Sequence, residues 1–558
     1  MHDLVIDNAA IYDGSGAPPR QGSVAIGGDR IAEVGEVRGQ AQARIDARGL
    51  ALMPGIIDTH THYDAQITWD PFANPSPALG VTTVVMGNCG FTIAPCRPAD
   101  RDLVMRNLTH VEGMSIEALR AGIDWGFESF PQYLDMLEKN GVGPNVACFV
   151  GHSGVRTFVM RGDAPKRAAS ADEVKQMRGI VAEAMEAGAC GFSTTRSGQH
   201  NGEAGIPMPS RLADDHEMKT LSAVLRDYGR GVLMMTKAAD TPVPWIEELC
   251  AAAERPYLIA ALLHSNLTPE ATFEDLAHIA AAHKRGRRMY GAVSPCPLNF
   301  EFTLHEPYVF EGLRAWQTLM RMDEKAFAAA LADPALRASL KSELTERSRR
   351  MFTGEWEKAF VAQVSDPAHA AYEGQSIGAL AKAEGKHPVD FILDLALSEN
   401  LDTMFTATLL NSDEEAVGRM MQDENAIVSL SDAGAHLTFL CDAGFGLHVL
   451  GHWVRERKLM PIEQAVRKLT SEAAELFGIR QRGTIAPGMH ADLLLFDPKT
   501  VGRGPSKRVF DLPSGASRLT TPATGVHGVW INGKKIADGE GIRKDAVKAG
   551  KVLRDFAS

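Results

Sequence analysis

The chain has 558 residues, of which 45% are hydrophobic and 23% charged, with a formal net charge of −12. A chain of this length exceeds what one hydrophobic core usually organises, so we expect a large domain with an accessory domain. The acidic balance excludes nucleic acid and anionic membrane surfaces as expected partners, since both require clustered Lys and Arg. No window reaches the roughly 18 apolar residues of a membrane-spanning helix.

The first residues, MHDLVIDNAAIYDG, lack the basic segment and apolar core of a secretory signal peptide. The seven cysteines form an odd set without a CxxC pair, which is typical of reduced thiols. We therefore expect a cytoplasmic protein whose partner is a small-molecule substrate. The sequence leaves a homo-oligomer open.

Both ends of the chain have the sequence pattern of short β-strands. Residues 1–52 alternate apolar and polar positions between Gly and Asp turns, and the same pattern returns at 482–498 and 525–539. We predict that residues 1–55 and 480–545 pair into one composite β domain, a small β-sandwich.

Between these ends, apolar strand-like runs alternate with amphipathic helical stretches, as in repeated βα units. Eight such runs fit an α/β fold of the (β/α)₈ barrel class, a TIM barrel over residues 56–479. The predicted strands are 55–60, 82–88, 145–152, 189–194, 231–236, 257–264, 288–293 and 426–432.

One helical stretch fits the predicted βα alternation, and another interrupts it. The segment 171–188 is predicted to be a helix that ends at Gly188. A long stretch at 300–380, rich in Arg, Glu, Ala and Leu, interrupts the βα alternation before the last strand. We expect it to form a helical insertion near the top of the barrel.

The first chemical motif is Asp58-Thr-His60-Thr-His62, at the end of the first predicted barrel strand. Residues two apart on an extended strand point the same way, so both imidazoles can reach one metal ion. Two histidines that form hydrogen bonds in a turn are the alternative.

Other polar residues also stand where predicted barrel strands end, which is where barrel enzymes carry their active sites. Each has an alternative structural role, as a buried small residue, a hydrogen-bonding histidine or a turn residue. They are Cys89, His152, Lys237, His264 and Asp432.

Together the motifs PGIIDTHTHYD, GNCGF, FVGHSGVR, SDAGAH and RGTIAPGMHADLLLFD resemble the N-acyl-D-amino-acid deacylases of the amidohydrolase superfamily. The resemblance covers nearly the whole chain apart from the insertion. HxH alone is shared by the whole superfamily, whereas the GNCGF cysteine and the SDAGAH segment narrow it to this branch.

The resemblance implies a hydrolase with one or two Zn²⁺ ions and metal-activated water. His60 and His62 would bind one zinc, Cys89 would be a thiolate ligand of the neighbouring site, and His264 would match the histidine of strand six. Asp432 would contact the metal and act as general base. The implied reaction is hydrolysis of the amide bond of an N-acyl-D-amino acid or a related carboxamide, which releases a carboxylate and an amine.

Two positions depart from the family pattern. Thr236-Lys237 stands where family members carry Thr-His, so a lysine replaces an expected ligand. Lys237 could be carbamylated and then bind metal, could be neutral or bind substrate, or could be structural. Ser265-Asn266 also replaces the lysine that often follows the strand-six histidine.

Substrate recognition is assigned to residues that follow the third and fourth strands. The carboxylate of an N-acyl amino acid suits an Arg fork, and Arg196 is the candidate, with a surface salt bridge as its alternative. His152 and His200 are further candidates. Two other functions remain open: a cyclic-amide hydrolase of the hydantoinase or dihydroorotase type, and a non-catalytic barrel that has lost its metal site.

Overall fold

A computed structural model describes residues 1–238, 240–305, 307–346 and 350–558 of the protein, with backbone alone at 204 and 321. Residues 306 and 347–349 of the predicted insertion lie outside the described residues. None of the helices in the described ranges combines the length and apolar character needed to cross a membrane.

The described residues form strands in two main sheets and three small ones. In chain order the strands are β1 His2–Ile11, β2 Arg20–Gly27, β3 Arg30–Gly35, β4 Ala41–Asp46, β5 Ala51–Pro54, β6 Ile56–Asp58, β7 Val81–Met86, β8 Asn145–Gly151, β9 Gly191–Thr195, β10 Val232–Thr236, β11 Tyr257–Leu262, β12 Met289–Val293, β13 Leu298–Phe302, β14 Ala359–Gln363, β15 Met404–Leu410, β16 Ala426–Val428, β17 Leu493–Phe496, β18 Gly502–Arg503, β19 Lys507–Val509, β20 Arg518–Thr520, β21 Ala523–Thr524, β22 Val526–Ile531, β23 Lys534–Asp538 and β24 Gly541–Ile542.

Helices fill most of the connections between these strands. They are α1 Arg101–Val111, α2 Ile116–Gly122, α3 Phe130–Asn140, α4 His152–Met160, α5 Ala171–Ala187, α6 Asp215–Ser222, α7 Val224–Tyr228, α8 Val243–Ala253, α9 Ala271–Lys284, α10 Arg314–Gln317, α11 Glu324–Leu331, α12 Pro334–Leu344, α13 Ile377–Ala383, α14 Pro388–Ser398, α15 Glu414–Gln422, α16 Phe445–His448, α17 Ile462–Leu469 and α18 Ser471–Phe477. A π-helical stretch, Val449–Glu456, continues α16.

Eight parallel strands form the barrel, in the order β16-β12-β11-β10-β9-β8-β7-β6. The backbone N–H of His62 donates to the carbonyl of Ala433 at 2.8 Å, and a parallel bridge joins Thr61 to Ala433. These contacts connect the first strand to the eighth and close the sheet. Every predicted barrel strand overlaps an observed one, because strands buried on both faces tend to be rich in apolar residues.

Local sequence explains why α5 begins and ends where it does. Ser170 and Glu173 form a reciprocal capping box at its start, and Gly188 adopts a φ of 109° just past its end. A left-handed residue at this position favours glycine, so the predicted end at Gly188 is confirmed.

The second main sheet has nine strands, in the order β24-β23-β22-β17-β5-β1-β2-β3, with β4 beside β1. It draws strands from both ends of the chain, and β17 joins the two halves by pairing with β5 and β22. The predicted fold class, a barrel with a β domain from the two termini, is confirmed. The boundaries 1–55, 480–545 and 56–479 stay predictions.

The long segment between β12 and β16 contains more than the predicted helices. β13, β15 and β14 form an antiparallel sheet within it, and the segment continues past 380 to the end of β15. It has its own hydrophobic core, which includes Trp316 and Phe405. The additional strands alternate buried and partly exposed residues, as in half-buried strands.

Candidate active site at the carboxyl ends of the barrel strands

A cavity of about 390 Å³ lies where the barrel strands end. Residues that follow β6, β7, β10 and β16 reach it, together with residues of the segment between β12 and β16. Its polar lining includes His60, His62, Cys89, Lys237 and Asp432. The predicted gathering of polar groups at this end of the barrel is therefore present.

His60 and His62 follow β6 in extended backbone and are almost fully buried. The intervening Thr61 points away from them and donates its hydroxyl to the carbonyl of Val85 at 2.9 Å. The Nε2 atoms of His60 and His62 lie 3.2 and 3.3 Å from the same atom, Oδ1 of Asp432. Alternation along the strand thus brings both imidazoles to one point, as predicted.

Cys89 lies in a tight turn, Asn88–Gly90, after β7. Its φ is 56°, and a Cβ on the adjacent Gly90 would approach the carbonyl oxygen of Ser193 to 3.1 Å. This turn directs the Cys89 sulfur back toward the histidines, 3.6 Å from His60 Nε2 and 4.0 Å from His62 Nε2.

Two opposing effects set the pKa values in this cluster: burial disfavours the charged forms, and attraction between the histidines and the acidic groups favours them. Burial opposes the charged imidazolium of His60, but the neighbouring Cys89 and Asp432 raise its pKa to about 9. Burial likewise opposes ionisation of Cys89 and Asp432, yet the two histidines lower the pKa of both groups. Thiolate and carboxylate are the forms in which these residues bind metal ions.

The structure adds Glu112 and His436, two cavity residues that the sequence interpretation missed. The Oε1 atom of buried Glu112 lies 3.0 Å from His62 Nδ1, on the side of the ring opposite the cluster. A carboxylate in this position fixes the orientation of a metal-binding imidazole. His436 Nε2 lies 3.9 Å from Asp432 Oδ2. The SDAGAH motif already contained His436, whereas nothing local marked Glu112 at the end of α1.

Lys237 lines the cavity, but its ammonium is engaged by Asp275. The Lys237 Nζ atom lies 2.5 Å from both carboxylate oxygens of Asp275. The preceding residue, Thr236, places its hydroxyl 3.1 Å from the Cys89 sulfur. Lys237 therefore lies in the cavity wall and directly follows Thr236, the residue that contacts Cys89.

The compact group of possible metal ligands among the described residues does not include His264, and its metal-binding role stays a prediction. Its ring packs near Phe273 of α9, with ring centroids 6.3 Å apart, whereas its neighbours Leu263 and Ser265 line the cavity. The pairing of β11 with β12 shifts register between Ile259 and Leu262. An irregularity of this kind changes which later residues face inward, and sequence periodicity does not reveal it.

Two predicted substrate-binding residues occupy other places. His152 is fully buried between Thr194 and Glu217, with its Nε2 atom 2.7 Å from the Glu217 carboxylate. Arg196 pairs with Asp240 at 3.0 Å, which is the salt-bridge alternative. Both lie outside the described residues that line the cavity.

His200 does line the cavity, in agreement with its predicted position. Its Nδ1 atom lies 2.7 Å from the hydroxyl of Thr195, and its ring packs edge-on against Phe91. Burial, with a smaller contribution from His436, lowers the pKa of His200 to about 3. His200 is therefore a neutral hydrogen-bonding group in the cavity wall.

Much of the remaining wall is apolar, and the segment between β12 and β16 supplies a large part of it. Phe300 and Tyr308 pack around His436. Leu298, Met351 and Leu410 extend the same surface. An apolar wall facing a small polar cluster is typical of a small-molecule site.

The donor atoms of the cluster fit a divalent metal ion. The ligand atoms of His60, His62 and Cys89 lie within 4.8 Å of one another and are buried. Two imidazole nitrogens, a thiolate and the nearby Asp432 carboxylate are the ligand types that zinc prefers. The chemistry of these four side chains thus fits the binding of a zinc ion.

Comparison with known proteins agrees with the barrel fold and the metal-ligand cluster. The amidohydrolase family profile matches residues 43–537. The chain belongs to the amidohydrolase family.

Its relatives and structural neighbours include three deacylases. N-acyl-D-aspartate deacylase of Alcaligenes xylosoxydans xylosoxydans is 28% identical over 558 residues, which cover 99% of this chain and 95% of that protein. A solved structure of D-aminoacylase with a binuclear metal center superposes with a TM-score of 0.68 at 25% identity, covering 100% of both chains. N-acyl-D-glutamate deacylase from Bordetella bronchiseptica, solved with zinc and a phosphonate inhibitor, shares the fold with a TM-score of 0.66 at 24% identity, covering 99% of this chain and 100% of that one.

Proposed function

We propose that this protein is a zinc-dependent deacylase that hydrolyses the amide bond of N-acyl-D-amino acids. The observation that carries the proposal is the convergence of His60, His62, Cys89 and Asp432 on one point of the cavity. The near full-length similarity to N-acyl-D-aspartate deacylase supports this substrate class.

In this proposal His60, His62 and Cys89 hold the zinc together with Asp432. When bound, zinc supplies a Lewis acid that polarises the amide carbonyl and acidifies water. Glu112 holds the ring of His62 in the binding orientation through its contact with Nδ1.

Asp432 moves the proton in the proposed reaction. Its carboxylate is held ionised by His60 and His62, which lower its pKa well below the ordinary range. An ionised carboxylate in the cavity accepts a proton from water and passes it to the departing amine. The products are a carboxylate and a free amino acid.

The cavity also suits the size and character of the substrate. Its volume of about 390 Å³ lies in the range of small-molecule sites. Phe300, Tyr308 and Met351 form an apolar surface for the acyl chain or the amino-acid side chain. We further propose a cytoplasmic location, which is supported by the seven free thiols.

Substrate assays of the purified protein with added Zn²⁺ test the function. We expect hydrolysis of N-acetyl-D-methionine or N-acetyl-D-glutamate and little of the matching L-isomers. Hydantoin and dihydroorotate are assayed beside them. Hydrolysis confined to the cyclic compounds would reject the deacylase, and no hydrolysis by zinc-loaded protein would favour a non-catalytic barrel.

The variant Asp432→Asn tests the proton-transfer role. The amide keeps the shape of the side chain but cannot accept the proton, so kcat should fall about 10²-fold or more. Zinc content is measured in parallel and should be retained. Asp227→Asn, in an exposed ion pair with Arg178, is the matched control and should keep full activity. Normal turnover by Asp432→Asn would refute the assignment.

A further inference from the structure

The turn that carries Asp432 is contacted by a hairpin from the C-terminal part of the chain. Residues 432–440, which we call the β16 turn, follow β16 and lie outside the helices and strands. Strands β19 and β20 pair as an antiparallel hairpin over residues 507–520, which we call the C-terminal hairpin. In this pairing Arg508 lies directly opposite Leu519. Both residues point to the β16 turn through the hydrogen bonds that they donate to it.

Three successive carbonyl groups of the β16 turn, those of residues 437–439, accept hydrogen bonds from three different strands. The N–H of Leu519 in β20 donates to the first of them at 2.8 Å. The Nη2 atom of Arg508 in β19 donates to the second at 2.9 Å. The N–H of Glu301 in β13 donates to the third at 3.0 Å. Hydrogen bonds to three strands fix the position of this part of the turn.

Arg508 links these contacts to one another. Its Nη2 atom, besides donating to the β16 turn, lies 2.5 Å from Oε2 of Glu301, and its Nη1 atom donates to the hydroxyl of Ser517 at 3.2 Å. The side chains of Arg508 and Glu301 are each 28% exposed, and an ion pair at that exposure contributes little stability by itself. The guanidinium instead provides direction, because its planar fork of donors fixes three acceptors relative to one another.

The opposite face of the β16 turn contacts the end of α1, next to the metal-binding cluster. The N–H of His436 donates to the carbonyl of Glu112, and the hydroxyl of Thr438 donates to the carbonyl of Gly113 at 3.4 Å. Glu112 is the residue whose carboxylate lies 3.0 Å from His62 Nδ1. The turn is therefore enclosed between the C-terminal hairpin and a residue that contacts the cluster.

Hydrogen bonds within the turn connect residues 437–439 to Asp432. The N–H of Ala435 donates to the carbonyl of Asp432 at 2.9 Å, and the N–H of Phe439 donates to the carbonyl of His436 at 2.9 Å. Asp432 itself has a φ of 48°, a conformation that persists where the surrounding structure holds it. A shift of residues 437–439 would therefore be passed on to the carboxylate of Asp432.

We propose that Arg508 is a positioning residue of the active site, which fixes the β16 turn so that the carboxylate of Asp432 meets His60 and His62. The inference rests on the proposed function, which gives Asp432 its role as metal ligand and proton acceptor. Arg508 acts through the backbone of the turn and lies outside the described residues that line the cavity. The C-terminal hairpin is thereby a part of the catalytic centre as well as of the β domain.

Arg508→Met tests the assignment, because it keeps an unbranched side chain and removes the guanidinium. We expect kcat for N-acetyl-D-methionine to fall about 10-fold or more, since a small displacement of a catalytic group is costly. KM should change less than about threefold, because the residues that line the cavity are unchanged. Zinc affinity, measured by chelator competition without substrate, should fall about 10-fold. A folded variant with a lower melting temperature but unchanged kcat and zinc affinity would overturn the proposal.

Two further variants are the controls. Arg508→Lys should recover most of kcat and zinc affinity, because one nitrogen makes the contacts with both Glu301 and the turn, and an ammonium can donate to both. Arg543→Met makes the same change in an arginine that pairs with Asp545 at 2.8 Å on the surface, and it should match the wild type. Equal losses in Arg543→Met and Arg508→Met would overturn the proposal.

If Arg508→Met does not fold, Glu301→Gln decides. This variant keeps the backbone hydrogen bond from β13 to the turn and removes the charge that holds the guanidinium. We expect kcat to fall about threefold, the size expected from loss of a partly exposed ion pair, with weaker zinc binding. Wild-type values of both would overturn the proposal.

The zinc measurement separates this inference from the proposed function. A wild type that binds zinc but leaves N-acyl-D-amino acids intact, with weaker zinc binding in Arg508→Met, would overturn the deacylase assignment alone. An active wild type, with unaltered kcat and zinc affinity in Arg508→Met, would overturn the positioning role alone.

Discussion

The metal-binding cluster depends on backbone conformations that most residues avoid. Cys89 and Asp432 have φ values of 56° and 48°, and Gly434 has 91°. Left-handed conformations at non-glycine residues cost about 1–3 kcal/mol each and persist where the surrounding structure holds them. Here they direct a sulfur and a carboxylate toward His60 and His62.

Gly434→Ala should disturb the metal-binding cluster in two ways: by the strain of a left-handed alanine and by a steric clash with His62. A Cβ at this position would lie 2.7 Å from the backbone carbon and oxygen of His62, so His62 must shift. We expect a loss of stability above about 1 kcal/mol and weaker zinc retention, measured by thermal unfolding and metal analysis. Gly488→Ala is the control, because its φ is 87° with nothing within 4 Å. Equal zinc retention in both variants would contradict the prediction.

Glu112→Gln should weaken metal binding without removing a ligand. The carboxylate orients His62 through Nδ1, and loss of such a contact costs about 10- to 100-fold in metal affinity. Competition with a chelator measures this affinity. Glu414→Gln changes another His–Glu pair, with His452 on the surface, and should leave the affinity unchanged. Unaltered affinity in Glu112→Gln would show that the pair has no orienting role.

Sequence spacing was sufficient to predict His60 and His62, because two-residue alternation is a local property of a strand. It was insufficient for Glu112, which reaches His62 from the end of α1. It also did not reveal the register shift between β11 and β12 that precedes His264, because such a shift depends on the neighbouring strand.

At the scale of elements, a buried charged network joins α4 to α6. Glu217 of α6 accepts a hydrogen bond from Arg156, and its carboxylate lies 2.7 Å from the His152 ring nitrogen. All three side chains are almost fully buried. Burial would raise the pKa of the Glu217 carboxyl, but His152 and Arg156 lower it overall. The network therefore holds the two helices together in the ionised form.

Glu217→Gln should destabilise the protein by about 3–5 kcal/mol, because it leaves the Arg156 charge buried without its carboxylate. The Glu217 carboxyl has a pKa below its ordinary value of 4.5 in the folded state. Its ionisation therefore contributes fully to the stability of the folded protein above pH 4.5. That contribution is lost as pH falls below 4.5 toward the lowered pKa. Denaturant unfolding across this range should therefore show a weaker pH dependence in the variant. Glu248→Gln, exposed on α8, is the control; parallel pH profiles in wild type and Glu217→Gln would contradict the prediction.

The barrel strands were predictable because most are largely apolar runs between turns, and β7 and β8 are buried along their whole length. The sheet of β13, β15 and β14 was missed because its strands are far apart in the chain and separated by helices. Pairing between strands so distant in the chain depends on long-range contacts, which local sequence patterns do not show.

At the scale of the whole molecule, the last residues of the chain bind under the barrel. The N–H of Leu553 donates to the carbonyl of Val146 at 2.8 Å, and the N–H of Ala557 donates to Gly478 at 2.7 Å. Phe556 is 2% exposed and belongs to the barrel core. The terminus thus ties β8 to the end of α18.

Phe556→Ala should lower the stability of the whole barrel, although it lies at the chain end. Removal of a buried Phe side chain costs about 3–5 kcal/mol, which thermal unfolding detects. Val547→Ala lies in the same terminal segment but is 53% exposed, and it should change little. Similar melting temperatures for the two variants would show that the terminal segment contributes no packing.

The sequence by itself determined the barrel, the two-ended β domain and the histidine pair, because apolar periodicity, turn residues and strand alternation act over a few residues. Only the tertiary structure decided which distant groups complete the site. Glu112 reaches His62, Asp275 engages Lys237 and His264 turns toward α9 through packing between separate elements. Contacts of this kind depend on the relative positions of helices and strands, and local patterns do not encode them.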